Sequence, residues 1–337
     1  MGSVIPLKKS ANSAYLDLKN LLDGKLEAVE KLINTKLNSE VDLIKKMSDY
    51  HLNSGGKRIR ALLTMGSAKL GGYVNGKRDI NLAACVELIH SATLLHDDVI
   101  DESEVRRGNK TTNAIWGNQS SILVGDYLLS RCFEMMVEDG DLEVLKLLSS
   151  TSAEISQGEV LQLQHNREID MLEETYLKII SSKTASLFAA ATKVGAILSN
   201  QENKVKDALE FYGKNLGLTF QIADDTLDYN SELKLFGKEI GNDFFEGKVT
   251  LPIILLNQKA NADEKKYIKN SFLNPERSES DFKSILGLIK KYDIINDCYL
   301  KAEYFIGLSS NSRSIFPDNK EKEILKKLTS FSLERNF

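Results

Sequence analysis

Two short acidic motifs carry the chemistry this sequence can do. Asp97, Asp98 and Asp101 read DDVID, and Asp224, Asp225 and Asp228 read DDTLD. With 22 aspartates in 337 residues, chance supplies about 0.09 copies of DDxxD in a chain of this length, so two copies are not an accident of composition. Each copy closes an apolar helical run, ACVELIHSATLLH before the first and LGLTFQIA before the second. On a helix, residues i and i+4 share a face, so Asp97 points with Asp101 and Asp224 with Asp228. Such like charges repel by roughly a few tenths of a kcal/mol per pair unless a cation lies between them. Paired carboxylates select a hard, oxygen-seeking divalent ion. Mg²⁺ fits best, because it keeps several waters and binds through one or two carboxylates plus phosphate oxygens. The ligand expected beside it is a phosphate or a diphosphate. Neither copy continues into an EF-hand loop, which needs Gly at the sixth position and Glu at the twelfth.

Cationic residues complement these motifs. Gly55 to Arg60 read GGKRIR directly before the helical run ALLTMGSAKL. Two glycines allow a tight turn, a helix start offers N–H groups to an anion, and Lys57 and Arg60, three apart, can converge on one diphosphate. The segment is not a Walker loop, since GxxxxGK[ST] is absent. Arg106 and Arg107 follow the first acidic motif closely enough to reach phosphate oxygens beside it. Lys183 and Thr184 read as the start of another helix, and Lys238 and Lys248 flank a glycine-bearing loop downstream of the second motif. Together these groups frame a diphosphate pocket. His90 can donate to a phosphate. Six residues separate it from His96, without an HxxxH pattern, which argues against zinc. His51 and His165 carry no signal.

The elements that must position these residues read as helices. Proline occurs only at positions 6, 252, 275 and 317, so nothing interrupts a helix from Leu7 to Leu251. Apolar residues recur at helical spacing in Leu16 to Ile33, Leu82 to Leu95, Ile122 to Met136, Leu142 to Leu163, Ala185 to Leu198 and Val205 to Leu227. Breaks fall at SGG, GGYVNGK, RRGNK, EDGD, FGKEIGNDFFEGK and LNPERSES, and none resembles a flexible linker. The expectation is an all-α protein whose residues 1–337 form a single domain of about a dozen helices. The composition is 42% hydrophobic and 27% charged, and the net charge is 44 − 48 = −4, too balanced for a nucleic-acid-binding face. No apolar run approaches the roughly 20 residues of a membrane span. The amino terminus has no secretory apolar core, so the cytoplasm is the expected location. Cys85, Cys132 and Cys298 form no CxxC and read as small core residues.

With these residues in place, GGKRIRALL, LIHSATLLHDDVIDES, RRGNKTTN, VGDYLL, ISQGEVLQL, KTASLF, FQIADDTLDY and GNDFFEGKVTLPIILL together resemble the trans-isoprenyl diphosphate synthases of the polyprenyl synthetase family, over roughly residues 50 to 260. The resemblance implies an isoprenoid synthase helical bundle around a deep central cavity, usually a homodimer, with the two acidic motifs facing each other across its mouth. It implies that Asp97, Asp101 and Asp224 hold Mg²⁺, with Asp98, Asp225 and Asp228 in support. Isopentenyl diphosphate would meet Lys57, Arg60, His90 and Arg107. The allylic diphosphate would meet Arg106, Lys183, Thr184, Gln221 and Lys238. Relatives often carry proline where this chain has Ala61 and Glu239. A class I terpene cyclase would have no use for GGKRIR, and a noncatalytic partner subunit would be expected to have lost aspartates or basic contacts.

Product length depends on how far the growing chain descends from Asp97. Thr93, Ala92, Ile89 and Leu88 lie down that helical side, and the first two are small. Short-chain members of the family tend to place an aromatic ring at one of these two positions. The sequence therefore points to a long product, of the octaprenyl kind; the resemblance implies a quinone side chain, such as that of ubiquinone, as its end use. Phe133, Met135 and Met136 are candidates for a deeper floor.

Overall fold

In the computed structural model, which describes residues 10–74, 76–230 and 240–331, the proline-free stretch folds into long helices. The first four are α1 (Ser10–Leu21), α2 (Lys25–Lys36), α3 (Asp42–Asn53) and α4 (Ile59–Leu70). The functional frame follows in α5 (Arg78–Ile100), α6 (Thr112–Trp116), α7 (Asn118–Asp139), α8 (Leu142–Gln164), α9 (Glu173–Ile180), α10 (Ser186–Leu198) and α11 (Asn203–Asp228). The remainder comprises α12 (Asn242–Glu246), α13 (Leu251–Lys259), α14 (Ala262–Leu273), α15 (Glu279–Lys291), α16 (Ile294–Ser312) and α17 (Lys320–Phe331). The protein is all-α, as its periodicity implies.

Three local expectations change. The apolar period from Leu16 to Ile33 spans two helices, because Asp23 (φ 37°) and Gly24 (φ 73°) turn the chain between α1 and α2. The period runs on because Leu18, Leu22, Leu26, Val29 and Ile33 all face the same core, and periodicity reports a buried face rather than an unbroken helix. The RRGNK break is an antiparallel hairpin, β1 (Val105–Arg106) and β2 (Asn109–Lys110), whose two turn residues Arg107 and Gly108 both have positive φ, as a primed turn demands. Lys183 and Thr184 do not start a helix: Ser181–Ala185 is a π-turn inside a continuous helical run from α9 into α10.

Two groups of buried side chains fill the interior. One joins α1, α2, α4, α5, α7, α10 and α17, and the other joins α9 and α13–α16. Helix α11 belongs to both. Leu209, Tyr212 and Leu216 pack in the first group, Leu218 and Ile222 in the second, and the second aspartate motif ends the helix beyond them. Every residue of α10 except Lys193 is buried, so this helix is the central post. All three cysteines are buried and free.

The π-turn is clasped between two glycines. A Cβ on Gly158 of α8 would lie 2.7 Å from the backbone N of Lys183, and one on Gly217 of α11 would lie 2.6 Å from Cα of Ala185. Backbone can approach that closely only where no side chain intervenes. Gly217→Ala is therefore expected to lower stability by about 1–3 kcal/mol through overpacking. Thermal unfolding followed by circular dichroism checks this, and an unchanged melting temperature would remove the clasp from the account.

Candidate active site

Helix α5 delivers the first motif at its carboxyl end, with Asp101 as the terminal cap residue. Each carboxylate there meets a different cation. The Nε of Arg106, on β1, donates to Oδ1 of the buried Asp98 at 2.6 Å. Lys183 Nζ stands 3.8 Å from Asp97 Oδ2 and is itself anchored on α8 by Glu159 at 2.6 Å and Gln162 at 2.9 Å. Lys248 Nζ pairs with Asp101 at 2.7 Å and with Glu246 at 2.8 Å. Burial pushes the Asp97 carboxyl up to about 6 against the pull of Lys183. Burial alone would lower the Lys248 ammonium, but Asp101, Glu246 and Asp243 outweigh it and carry its pKa above the ordinary lysine value.

The second motif divides its carboxylates. Asp224 is exposed, Asp228 half-buried and Asp225 buried. Asp225 accepts from the Tyr176 hydroxyl at 2.6 Å and from Gln221 Nε2 at 2.7 Å, and burial nevertheless pushes it up to about 7. Asp228 accepts from the backbone N–H groups of Gly241, Asn242 and Asp243 at 2.9, 3.1 and 2.9 Å, which caps the short helix α12. Thr184 Oγ1 donates to Gln221 Oε1 at 2.8 Å and ties the π-turn to α11. Gln162, Lys183, Thr184, Gln221, Asp225 and Lys248 line one cavity of about 90 Å³, so groups adjoining both motifs converge there.

The basic residues gather on the other flank. Gly55 (φ 88°) and Gly56 (φ 143°) turn the chain into α4, and the Arg107 guanidinium donates to the Gly55 carbonyl. A Cβ on Gly56 would sit 2.8 Å from Arg107 Nη1, the movable end of a side chain, so it is the positive φ that calls for glycine here. Arg60 lies over the Phe188 ring at 4.4 Å, and Lys57 stands 6.0 Å from the Tyr15 ring centroid. Burial pushes the His90 imidazole well below its usual range, and Arg60 and Arg107 push it further. His51 falls to about 3 for the same reasons, with burial first and then Arg58, Arg106 and Arg107. This is a pocket where positive charge is crowded and an anion is wanted.

Arg106 thus sides with the first aspartate motif and Arg107 with the glycine turn. Lys238 and Glu239 lie outside the described residues. Among the chain-length candidates, Ala92, Met135 and Met136 are buried, and Thr93 is half-buried with its hydroxyl bonded to the His90 carbonyl. Phe133 is 39% exposed: Cys132, Met135 and Met136 form the inner face of α7, and one residue past Cys132 turns about 100° away from it. Phe133 thus points away from the buried methionines Met135 and Met136. Residues not singled out in the sequence also belong here: Glu159, Gln162, Tyr176, the half-buried Asp243, and His51.

Among the described residues, no three His, Cys, Asp or Glu side chains converge as a ready-made metal cage. The donor set nevertheless fits Mg²⁺, which takes one or two carboxylates and completes its shell with water and phosphate oxygens. The ammonium groups of Lys183 and Lys248 already hold cationic charge against Asp97 and Asp101.

The sequence profile of the polyprenyl synthetases matches residues 41–289. The chain belongs to the polyprenyl synthetase family. It is a prenyltransferase of this type, 36% identical over 308 residues to the all-trans-nonaprenyl-diphosphate synthase (geranyl-diphosphate specific) of Rhodobacter capsulatus, spanning 91% of this chain and 94% of that one. It is 44% identical over 229 residues to the octaprenyl diphosphate synthase of Escherichia coli (strain K12), spanning 68% and 71%. Its fold matches that of a Caulobacter crescentus polyprenyl synthase, solved in complex with calcium and isoprenyl diphosphate, with a TM-score of 0.92 at 37% identity over 96% of this chain and 98% of that one.

Ala61, where relatives of this family often have proline, uses its N–H here: it donates to Oε1 of the buried Glu87 at 3.0 Å, and Glu87 Oε2 stands 3.6 Å from Arg58. Proline would delete that donor. Ala61→Pro is expected to cost about 1–3 kcal/mol, because a buried carboxylate loses a partner. Denaturant unfolding measures this, and a variant as stable as wild type would show that the bond contributes nothing.

Proposed function

We propose that the protein is a Mg²⁺-dependent synthase that condenses isopentenyl diphosphate with an allylic diphosphate into a long-chain polyprenyl diphosphate. One observation carries the reading: Lys183 and Lys248, the cations that face Asp97 and Asp101, line one cavity together with Asp225 of the second motif, while a separate basic cluster lies at Gly55–Arg60, His90 and Arg107. One diphosphate enters beside carboxylates and needs metal; the other enters among arginines and does not. The names of the relatives, octaprenyl and nonaprenyl diphosphate synthases, support a long product, as do the small side chains of Ala92 and Thr93.

In this reading Asp97, Asp101 and Asp224 hold the metal, which supplies Lewis-acid neutralisation of the leaving diphosphate. Lys183 and Arg106, with Lys238 added from the sequence, hold the allylic diphosphate and stabilise the negative charge that grows on it as the C–O bond breaks. Gln221 and Thr184 orient it. Lys57, Arg60, His90 and Arg107 hold isopentenyl diphosphate so that its double bond faces the allylic carbon. The π electrons form the new C–C bond, and a proton then leaves to restore the double bond, with the released diphosphate as its acceptor. No side chain need act as nucleophile. Buried apolar side chains around Ala92 exclude water, which would capture the allylic cation.

The reading further takes residues 1–337 as one functional unit, supported by the two core groups sharing α11. It includes a homodimer, supported by apolar side chains left on the surface of α7, with Leu123 67% and Val137 65% exposed. A cytoplasmic location and a quinone side chain such as ubiquinone's as the end use complete it.

Asp97→Ala and Asp224→Ala are each expected to lower turnover by orders of magnitude while the helical circular dichroism stays near wild type, and chelation of the metal should abolish activity until Mg²⁺ is restored. Either variant keeping more than about half its activity would sink the metal assignment. Ala92→Phe is expected to shorten the product, because a ring fills space the growing chain occupies. Chromatography of products made from labelled isopentenyl diphosphate decides it: an unchanged distribution in an active variant, or a wild type that stops at farnesyl diphosphate, contradicts the long shaft.

A further inference from the structure

Tyr176 is among the largest fully buried side chains of the protein, yet its hydroxyl reaches the wall of the candidate active site. A buried phenol needs a partner, and this one donates to Asp225 Oδ2 at 2.6 Å. The other oxygen of the same carboxylate accepts from Gln221 Nε2 at 2.7 Å. An ionised carboxylate only accepts, so in that form it sets the direction of every bond attached to it. The Gln221 amide must face Asp225 with its nitrogen, which turns Oε1 to the Thr184 hydroxyl at 2.8 Å. Thr184 must then donate to Gln221, and the remaining N–H of Gln221 is left for a ligand. Both arms therefore end on Asp225, Tyr176 from one side and Thr184 through Gln221 from the other, and they link three elements: α9, α11 and the π-turn that also carries Lys183.

We propose that Tyr176 is a positioning residue for allylic diphosphate binding: by occupying Asp225 Oδ2 it fixes Asp225, and through it the orientation of Gln221 and Thr184 at the cavity wall. The role rests on the proposed function. Without the phenol, Asp225 is free to turn, the Gln221 amide loses its fixed orientation, and it can present its carbonyl oxygen to an anionic ligand that needs a donor. Among the described residues, Arg60, His90 and Arg107 share no hydrogen bond with this chain, so isopentenyl diphosphate affinity has no reason to change.

The experiment is a double-mutant cycle of Tyr176→Phe and Asp225→Asn, with KM for farnesyl diphosphate and KM for isopentenyl diphosphate measured separately and the melting temperature recorded for each variant. Tyr176→Phe is expected to raise the KM for farnesyl diphosphate about tenfold, the scale of a lost bond to a charged group, and to leave that for isopentenyl diphosphate within about twofold. Added to Asp225→Asn it should change nothing more, since Tyr176 acts through that carboxylate. Equal increases in both KM values, or additive effects in the double variant, overturn the role and leave Tyr176 as packing. If Tyr176→Phe does not fold, Asp225→Asn decides alone: it must raise the farnesyl diphosphate KM selectively, and an unselective change refutes the chain of bonds. A wild type that makes no polyprenyl product overturns the proposed function, and the positioning role with it; an active wild type with unselective variants overturns the role only.

Discussion

Like-charged carboxylates crowded at the carboxyl end of α5 are the constraint on which the rest of the structure depends. Two unit charges about 4 Å apart interact by about 4 kcal/mol at an effective dielectric of 20, several times the strength of a typical exposed ion pair. The protein meets this by bringing one cation to each exposed or half-buried carboxylate of the first motif from a different part of the chain: Lys183 from the π-turn, Lys248 from the segment after α12, and Arg106 from the hairpin for the buried Asp98. The clasp of Gly158 and Gly217 around the π-turn, the primed hairpin at Arg107–Gly108 and the cap of α12 by Asp228 all exist where these cations must be delivered.

The two motifs look alike in sequence but divide their work unequally. Asp225 and Asp228 are spent on neighbours, the first on Tyr176 and Gln221 and the second on three backbone N–H groups, and Asp98 is spent on Arg106. Asp97 and Asp101 are half-buried and face Lys183 and Lys248, and Asp224 is exposed. That sorting is what a site needs if a substrate with its own negative charge is to bring metal in: fixed carboxylates shape the walls, and exchangeable ones meet the cation.

What was legible in the sequence was local. The paired aspartates, GGKRIR, the proline-free helices and the three core cysteines each follow from a short pattern, and so does the all-α class. Where a side chain works through a distant neighbour the pattern is silent. Glu159 sits inside ISQGEVLQL without a like-charged partner, and only the fold shows that it anchors Lys183. Tyr176 reads as one more apolar position of α9, and His51 as an isolated histidine, until tertiary packing places them against Asp225 and among three arginines. The π-turn adds one residue to a helical run and leaves no composition signal, so Lys183 and Thr184 read as a helix start. Phe133 shows the same limit, since a large apolar residue beside core positions can lie on another face of the helix, as its 39% exposure shows.

The central claim is that these carboxylates and cations form one site in which metal and diphosphate need each other. Isothermal titration calorimetry of the wild-type chain with Mg²⁺ and inorganic diphosphate, each in the absence and presence of the other, tests it directly. Because coupling between two ligands is reciprocal, the account predicts that each tightens the binding of the other by the same factor, about tenfold or more. Equal affinity for diphosphate with and without Mg²⁺, and for Mg²⁺ with and without diphosphate, would contradict it.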